Sequence, residues 1–237
     1  MTPQSDYGVA RVAVHEDGTV PANVHRSLTE ALGAEKLAVD AYRLADGRTV
    51  DLLPGCERVV LPLAGSTPVS LDGRFTIEPG SVGRLAPDRP CTLGGDATVL
   101  VVSVRTADAD TTEPVIVDLD AVDYVTPTTS TVETAFLTGT LGCTGMKVNA
   151  RVLEPGQWVP RHVEGSQEEL FVPLSTGAAM SVGDERFETP PGTAVRVAPD
   201  SPRSARNDGE TDARWLMFGA PPTGGPTEWD PGARVVE

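Results

Sequence analysis

Between Pro155 and Gly177 the chain reads PGQWVPRHVEGSQEELFVPLSTG, which sets one imidazole, His162, close to three carboxylates, Glu164, Glu168 and Glu169. Three kinds of chemistry suit such a set. An imidazole with carboxylates holds a divalent cation. The same groups move protons as a general acid and a general base. Or the set is what remains of a site whose chemistry has gone. The apolar run that follows, ELFVPL, reads as a short strand, so neighbouring carboxylates there point to opposite faces.

The elements that position these residues repeat. LGAEKLAVDAYRLADG (32–47) aligns without gaps on LGCTGMKVNARVLEPG (141–156), an offset of 109. RFTIEPGSVGRLAPDRP (74–90) aligns on RFETPPGTAVRVAPDSP (186–202) at an offset of 112, and CERVVLPL (56–63) parallels QEELFVPL (167–174) between them. Two matched units of this size indicate a duplicated domain rather than a solenoid. Within each unit short Val- and Leu-rich runs are broken by EPG, GDE and PPG, the pattern of antiparallel strands and turns. One helix is predicted over HRSLTEALG (25–33), with Ser27 and Glu30 at capping-box spacing and Gly33 as its stop, and TSTVETAFLTG (129–139) is its expected counterpart. Many short strands and little helix predict an all-β protein with a double-sheet jelly roll in each half, divided as residues 1–115 and 116–237.

The second half resembles the cupins. Gly156, His162, Glu164, Glu169 and Gly177 reproduce the spacing of that family's first motif with one extra residue before the last glycine. Gly192, Ala198, Asp200, Arg203 and Asn207 reproduce the second. The first half keeps the second spacing as Gly80, Ala86, Asp88, Cys91 and Gly95 but lacks the histidine loop. The resemblance covers about residues 25–220 and implies a bicupin. HRSLTEALG and VEGSQEELFVPL are further similar to uncharacterised archaeal cupin-domain proteins. In cupins three histidines and a glutamate hold a divalent metal inside the barrel. The resemblance places His162 at the first histidine, Glu164 at the second, Arg203 at the third and Glu169 at the glutamate. In the first half Arg58 stands at the glutamate and Cys91 at the last histidine, which implies a copy without metal.

Two readings of the second site follow. His162, Glu164 and Glu169 are a ligand set for one divalent metal (Fe, Mn, Ni or Zn) with open positions for water or substrate. A permanently charged guanidinium at Arg203 opposes a nearby dication. In the other reading no metal binds, Arg203 neutralises the carboxylates that a lost dication would leave facing each other, and His162 is a general acid or base or merely closes the hydrogen-bond network. By strand alternation Arg161 and Glu168 point away from the barrel. Trp158 reads as a packing aromatic or, second, a stacking residue at the mouth. Phe171 and Met180 read as core, and His15 and His25 as structural.

Composition narrows the partners. The 237-residue chain carries a formal net charge of −15, which disfavours nucleic acid and anionic membranes. Its basic residues are almost all arginine, Lys36 and Lys147 being the only lysines. Acidic excess with scarce lysine fits a halophilic, salt-adapted proteome, and a GC-rich genome would give the same Arg-for-Lys bias. No signal-peptide pattern opens the chain and no apolar run reaches transmembrane length. Cys56, Cys91 and Cys143 lack metal or disulfide spacing and read as buried small hydrophobes, so a cytoplasmic protein is expected. The function expected is a small-molecule cupin enzyme of isomerase, epimerase or lyase type, acting on a polar or anionic metabolite through His162, Glu169 and Arg203. The alternatives are a non-catalytic ligand-binding or sensor cupin and a metal-dependent dioxygenase. Cupin barrels often pair through sheet edges, so a homodimer is also open.

Overall fold

The computed structural model describes residues 6–12, 24–45, 47–71, 73–85, 89–105, 113–128, 130–228 and 230–236. His15, Ala86, Asp88 and Trp229 lie outside them. Among the described residues twenty-one strands and two short helices succeed one another. The first group is β1 (Tyr7–Arg11), β2 (Val24–Ser27), α1 (Thr29–Leu32), β3 (Ala38–Leu44), β4 (Val50–Leu52), β5 (Cys56–Ala64), β6 (Thr67–Ser70), β7 (Arg74–Ile77), β8 (Ser81–Leu85), β9 (Cys91–Leu93), β10 (Ala97–Arg105) and β11 (Val115–Asp118). The second is β12 (Glu133–Phe136), α2 (Leu137–Leu141), β13 (Lys147–Leu153), β14 (His162–Val163), β15 (Glu168–Pro173), β16 (Ala178–Val182), β17 (Glu185–Glu188), β18 (Thr193–Val197), β19 (Arg203–Asn207), β20 (Ala213–Ala220) and β21 (Arg234–Val235).

These strands build two jelly-roll barrels, as the duplication predicts. The first pairs a six-stranded sheet, β11-β8-β5-β10-β3-β2, with a four-stranded one, β4-β9-β6-β7. The second pairs β1-β18-β15-β20-β13-β12 with β17-β16-β19-β14-β21. The strands at one edge are exchanged. β1 lies on the second barrel, with Tyr7 opposite Val197, while β11 lies on the first, with Val115 opposite Arg84. The division expected at residue 115 falls within β11, and β1 joins the barrel of the other half.

Strand alternation separates the cores. On β15, Phe171 faces into the second barrel with Val195, Val197, Trp215 and Met217. Its neighbours Leu170 and Val172 face outward and meet Leu61, Leu100 and Val102 of the first barrel in one apolar layer shared by both halves. The first barrel is filled by apolar side chains including Val60, Leu85, Val99 and Cys91. Phe171 and Met180 are core residues as expected, and the three cysteines are unbridged, Cys91 and Cys143 being buried.

The helices differ from expectation. Residues 24–27 are strand, α1 has only four residues, and its N-cap is Leu28 with no side-chain cap. Ser27 is therefore not a capping residue. Thr29 at the first helical position instead accepts the Val39 N–H on its hydroxyl at 2.9 Å. Thr138 does the same for Val148 in α2. The expected second helix also starts as a strand and runs on to Leu141. Gly33 is the stop expected, and Gly142, three residues beyond the expected end of the second segment, plays the same part: both adopt the left-handed conformation, φ 63° and 69°, which glycine enters without a Cβ penalty.

The loops after these helices lock the halves together. Backbone N–H groups of Glu35, Lys36 and Leu37 donate to the carboxylate of Glu168 at 3.0–3.2 Å, and Arg196 Nε donates to it at 2.9 Å. In the mirrored place Thr144 N–H and Gly145 N–H donate to Glu57 at 2.8 and 3.1 Å, with Arg84 at 3.6 Å. Each buried glutamate thus ties down a loop of the opposite half. Glu168 does point away from the barrel, as alternation predicts, and the space it enters is this interface.

Candidate functional site

Four neighbouring elements of the second barrel bring the sequence-selected residues together. β14 supplies His162, the loop after it Glu164, β15 Glu169 and β19 Arg203, and Arg203 lies directly across the ladder from His162. All four are buried. His162 Nε2 is 3.5 Å from Glu164 Oε1 and 3.9 Å from Glu169 Oε2. The donor atoms of the three residues lie within 4.8 Å of one another, and among the described residues no other group of His, Cys, Asp and Glu side chains is so placed. Glu164 is positioned through its backbone, its N–H donating to the Pro199 carbonyl at 2.8 Å.

His162 Nδ1 is 2.8 Å from the Pro160 carbonyl. A carbonyl only accepts, so Nδ1 carries the proton and Nε2 is left to face the two carboxylates. Arg203 Nε donates to Glu169 Oε2 at 3.0 Å, and its Nη1 donates to the carbonyls of Pro199 and Ser201 at 2.8 and 3.0 Å. Arg203 Nη2 has no acceptor, and Glu164 Oε2 has no donor, although both are buried. A buried polar atom without a partner costs about 1–3 kcal/mol. Burial pushes the Glu164 carboxyl above the usual carboxylate range. The His162 hydrogen bond opposes that shift, Glu169's charge adds to it, and Arg203 counts against it.

Two further cations were not singled out by the sequence. Lys147 and Arg151 share the inner face of β13 with Leu153 and are both buried. Burial works against the Arg151 charge, and the fields of Glu169 and Glu164 support it. Burial likewise lowers Lys147 below the usual lysine value, against the fields of Glu164, Asp230, Glu228 and Glu169. The readable signal was the stretch KVNAR, which puts charges at alternate positions of a strand whose next inward residue is apolar. Trp158 does not reach the cluster. It is 53% exposed, and the Arg206 guanidinium lies 5.7 Å from its ring centroid.

The cluster fits a divalent cation in ligand type and spacing but not in charge. Glu164 and Glu169 supply two negative charges, and Arg203 and Arg151 already balance them, with Lys147 beyond. A dication on Glu169 Oε2 would share that atom with a guanidinium at 3.0 Å, and two cations at such range repel strongly where water is excluded.

The first barrel has no such site among its described residues. Arg58, at the glutamate position, donates Nη1 to the Cys56 carbonyl at 3.1 Å and Nη2 to the Leu53 carbonyl. The Cys91 thiol is raised by burial. His25 is better partnered than its sequence neighbours suggested: its Nε2 is 2.9 Å from Asp40 Oδ1 and its ring stacks on Tyr42 at 4.7 Å. Strand pairing, with Tyr42 opposite His25, creates that contact.

Residues 151–219 match the cupin domain family. Solved structures with the same fold include a glyoxylate-induced protein from Pseudomonas aeruginosa (18% identity, 90% of this chain and 88% of that one, TM-score 0.72). Two oxalate decarboxylases also share it: that of Lactobacillus farciminis in a formate complex (11%, 96% and 88%, TM-score 0.67) and a serine-to-alanine mutant of the Bacillus subtilis enzyme (15%, 89% and 76%, TM-score 0.65). No curated protein matches the chain. The matched residues lie in the second barrel, and the chain as a whole has the bicupin fold. No helix among the described residues is long and apolar enough to cross a membrane.

Proposed function

We propose that the chain is a small-molecule cupin enzyme whose second barrel binds an anionic metabolite and moves a proton on it, in isomerase, epimerase or lyase chemistry. The observation that carries this reading is Arg203: fully buried, bound to Glu169, and with Nη2 lacking any protein acceptor. A carboxylate oxygen of the ligand completes that guanidinium. Arg151 and Lys147 lower the cost of bringing the anion into a buried place. His162, fixed by Pro160 with Nε2 directed at the cluster, takes a proton from the carbon beside the ligand's carboxylate or carbonyl. Glu169, held by Arg203, stabilises the imidazolium and serves as the second proton carrier.

The first barrel is then a scaffold that does what a partner subunit does in a two-chain cupin. Bacillus subtilis oxalate decarboxylase has Mn(II) centres. In this chain the charge balance around Arg203 and Arg151 supports acid–base chemistry by side chains instead.

The test is hydrogen exchange at carbon. Two-oxo acids and anionic sugars are incubated in D2O with the protein and followed by NMR, while calorimetry reports binding. Exchange with a member of the panel is expected, His162→Ala lowering it at least about 100-fold with affinity retained, and Arg203→Gln losing the affinity. Binding without exchange makes the chain a ligand-binding cupin, and binding unaffected by Arg203→Gln removes the anion clamp.

A further inference from the structure

The C-terminal segment runs across the second barrel beside the cluster and builds a wall that proton transfer does not use. In β21, Val235 pairs with His162 and Arg234 with Val163, and the Val236 N–H donates to the Arg161 carbonyl at 2.9 Å. Asp230 anchors the segment: its carboxylate accepts the N–H groups of Gly165, Ser166 and Gly232 at 3.1, 3.2 and 2.8 Å. Gly165 and Gly232 pack backbone to backbone, and a Cβ on Gly165 would stand 2.7 Å from the Gly232 Cα. The Lys147 ammonium donates to the Glu228 carbonyl.

Between this strap and the barrel lies a cleft of about 200 Å3. Val159 and Pro160 line it from the barrel, Ala233, Arg234 and Val235 from the strap, and His162 belongs to both cleft and cluster. Residues directly opposite in an antiparallel pair have Cβ atoms about 5 Å apart, so Val235 stands against the face that carries the imidazole. An anion of two or three atoms would be held by the cluster alone and would leave this mainly apolar cleft in water. An apolar cavity of about 150 Å3 is enough to bind benzene.

We propose that residues 230–236 are a specificity-determining strap, which with Val159 and Pro160 forms an apolar subsite at His162 for carboxylates bearing a compact apolar group up to phenyl size. This rests on the anionic-ligand reading above. The carboxylate goes to Arg203 and the apolar group to the cleft, so the carbon between them lies by His162.

Calorimetry with glyoxylate and phenylpyruvate, on the wild type and on Val235→Trp, tests it. Val235 is 71% exposed, so the substitution places no load on the core. Wild type is expected to bind phenylpyruvate at least about tenfold more tightly than glyoxylate. Val235→Trp should abolish that preference by filling the cleft. Glyoxylate binding with no preference in the wild type overturns the subsite and leaves the anion site standing. A preference that survives Val235→Trp overturns the placement in the strap. Binding of neither acid overturns both readings.

Discussion

Glu164 occupies a histidine position of the related motif and brings a second carboxylate into a buried cluster, so its protonation is linked to folding. A carboxyl whose folded pKa lies above its unfolded one, as burial makes that of Glu164, binds its proton more readily in the folded state. The fold is then favoured in acid and penalised as the pH rises through the raised value. Glu164→Gln is therefore expected to stabilise the protein at pH 8, with the gain shrinking toward about pH 4, near the ordinary glutamate pKa. Urea titrations at both pH values measure this, and equal effects at the two would contradict the burial account. The sequence showed His162, Glu164, Glu169 and Arg203 because fixed motif spacing carries them. It hid Arg151 and Lys147, whose inward direction depends on which face of β13 the barrel closes over.

At the scale of elements, the strap is held mainly by one side chain. Burial pushes Asp230 up, but the N–H groups of Gly232, Ser166 and Gly165 and the Thr223 hydroxyl outweigh it and hold the carboxyl below the usual range. A depressed carboxyl adds stability above its unfolded pKa, about 3.9, and loses it as the pH falls through the folded value. Strap docking should thus hold at neutral pH and weaken in strong acid. Asp230→Asn is expected to cost the strap about 1–3 kcal/mol at pH 7, so that its backbone amides exchange roughly 5- to 150-fold faster. Unchanged protection would mean that β21 pairing suffices. Strands and glycine stops were legible because period-two alternation and left-handed turns leave local marks. The two helices were not. Ser27 and Glu30 have capping-box spacing, yet β2 is claimed by pairing with β3, and tertiary pairing outweighs a local cap. The strap left a similarly weak mark, since a Pro- and Gly-rich stretch does not announce what it packs on.

For the whole molecule, the reciprocal anchoring by Glu57 and Glu168 ties each barrel to a loop of the other. Glu168→Gln breaks the buried ion pair with Arg196, whose guanidinium lies 2.9 Å from the carboxylate, and is expected to cost about 3–5 kcal/mol. Adding Arg196→Met should recover part of that, which a double-mutant cycle in urea would read out. A single-mutant cost below about 1 kcal/mol would mean that the apolar layer alone joins the halves. The duplication itself was plain in the sequence, and even the paired glutamates lie at matched positions of CERVVLPL and QEELFVPL. Only the partners were invisible, because each carboxylate is satisfied by backbone N–H groups more than 80 residues away. The exchanged edge strands also set a timetable for the growing chain. β11 emerges soon after the sheet that receives it. β1 is made well before β18, whose Val197 opposes Tyr7, and has to wait for it. At about 5–20 residues per second the ribosome needs roughly 10–40 s to bridge that interval, so β1 stays without its ladder partner until the second barrel is nearly complete.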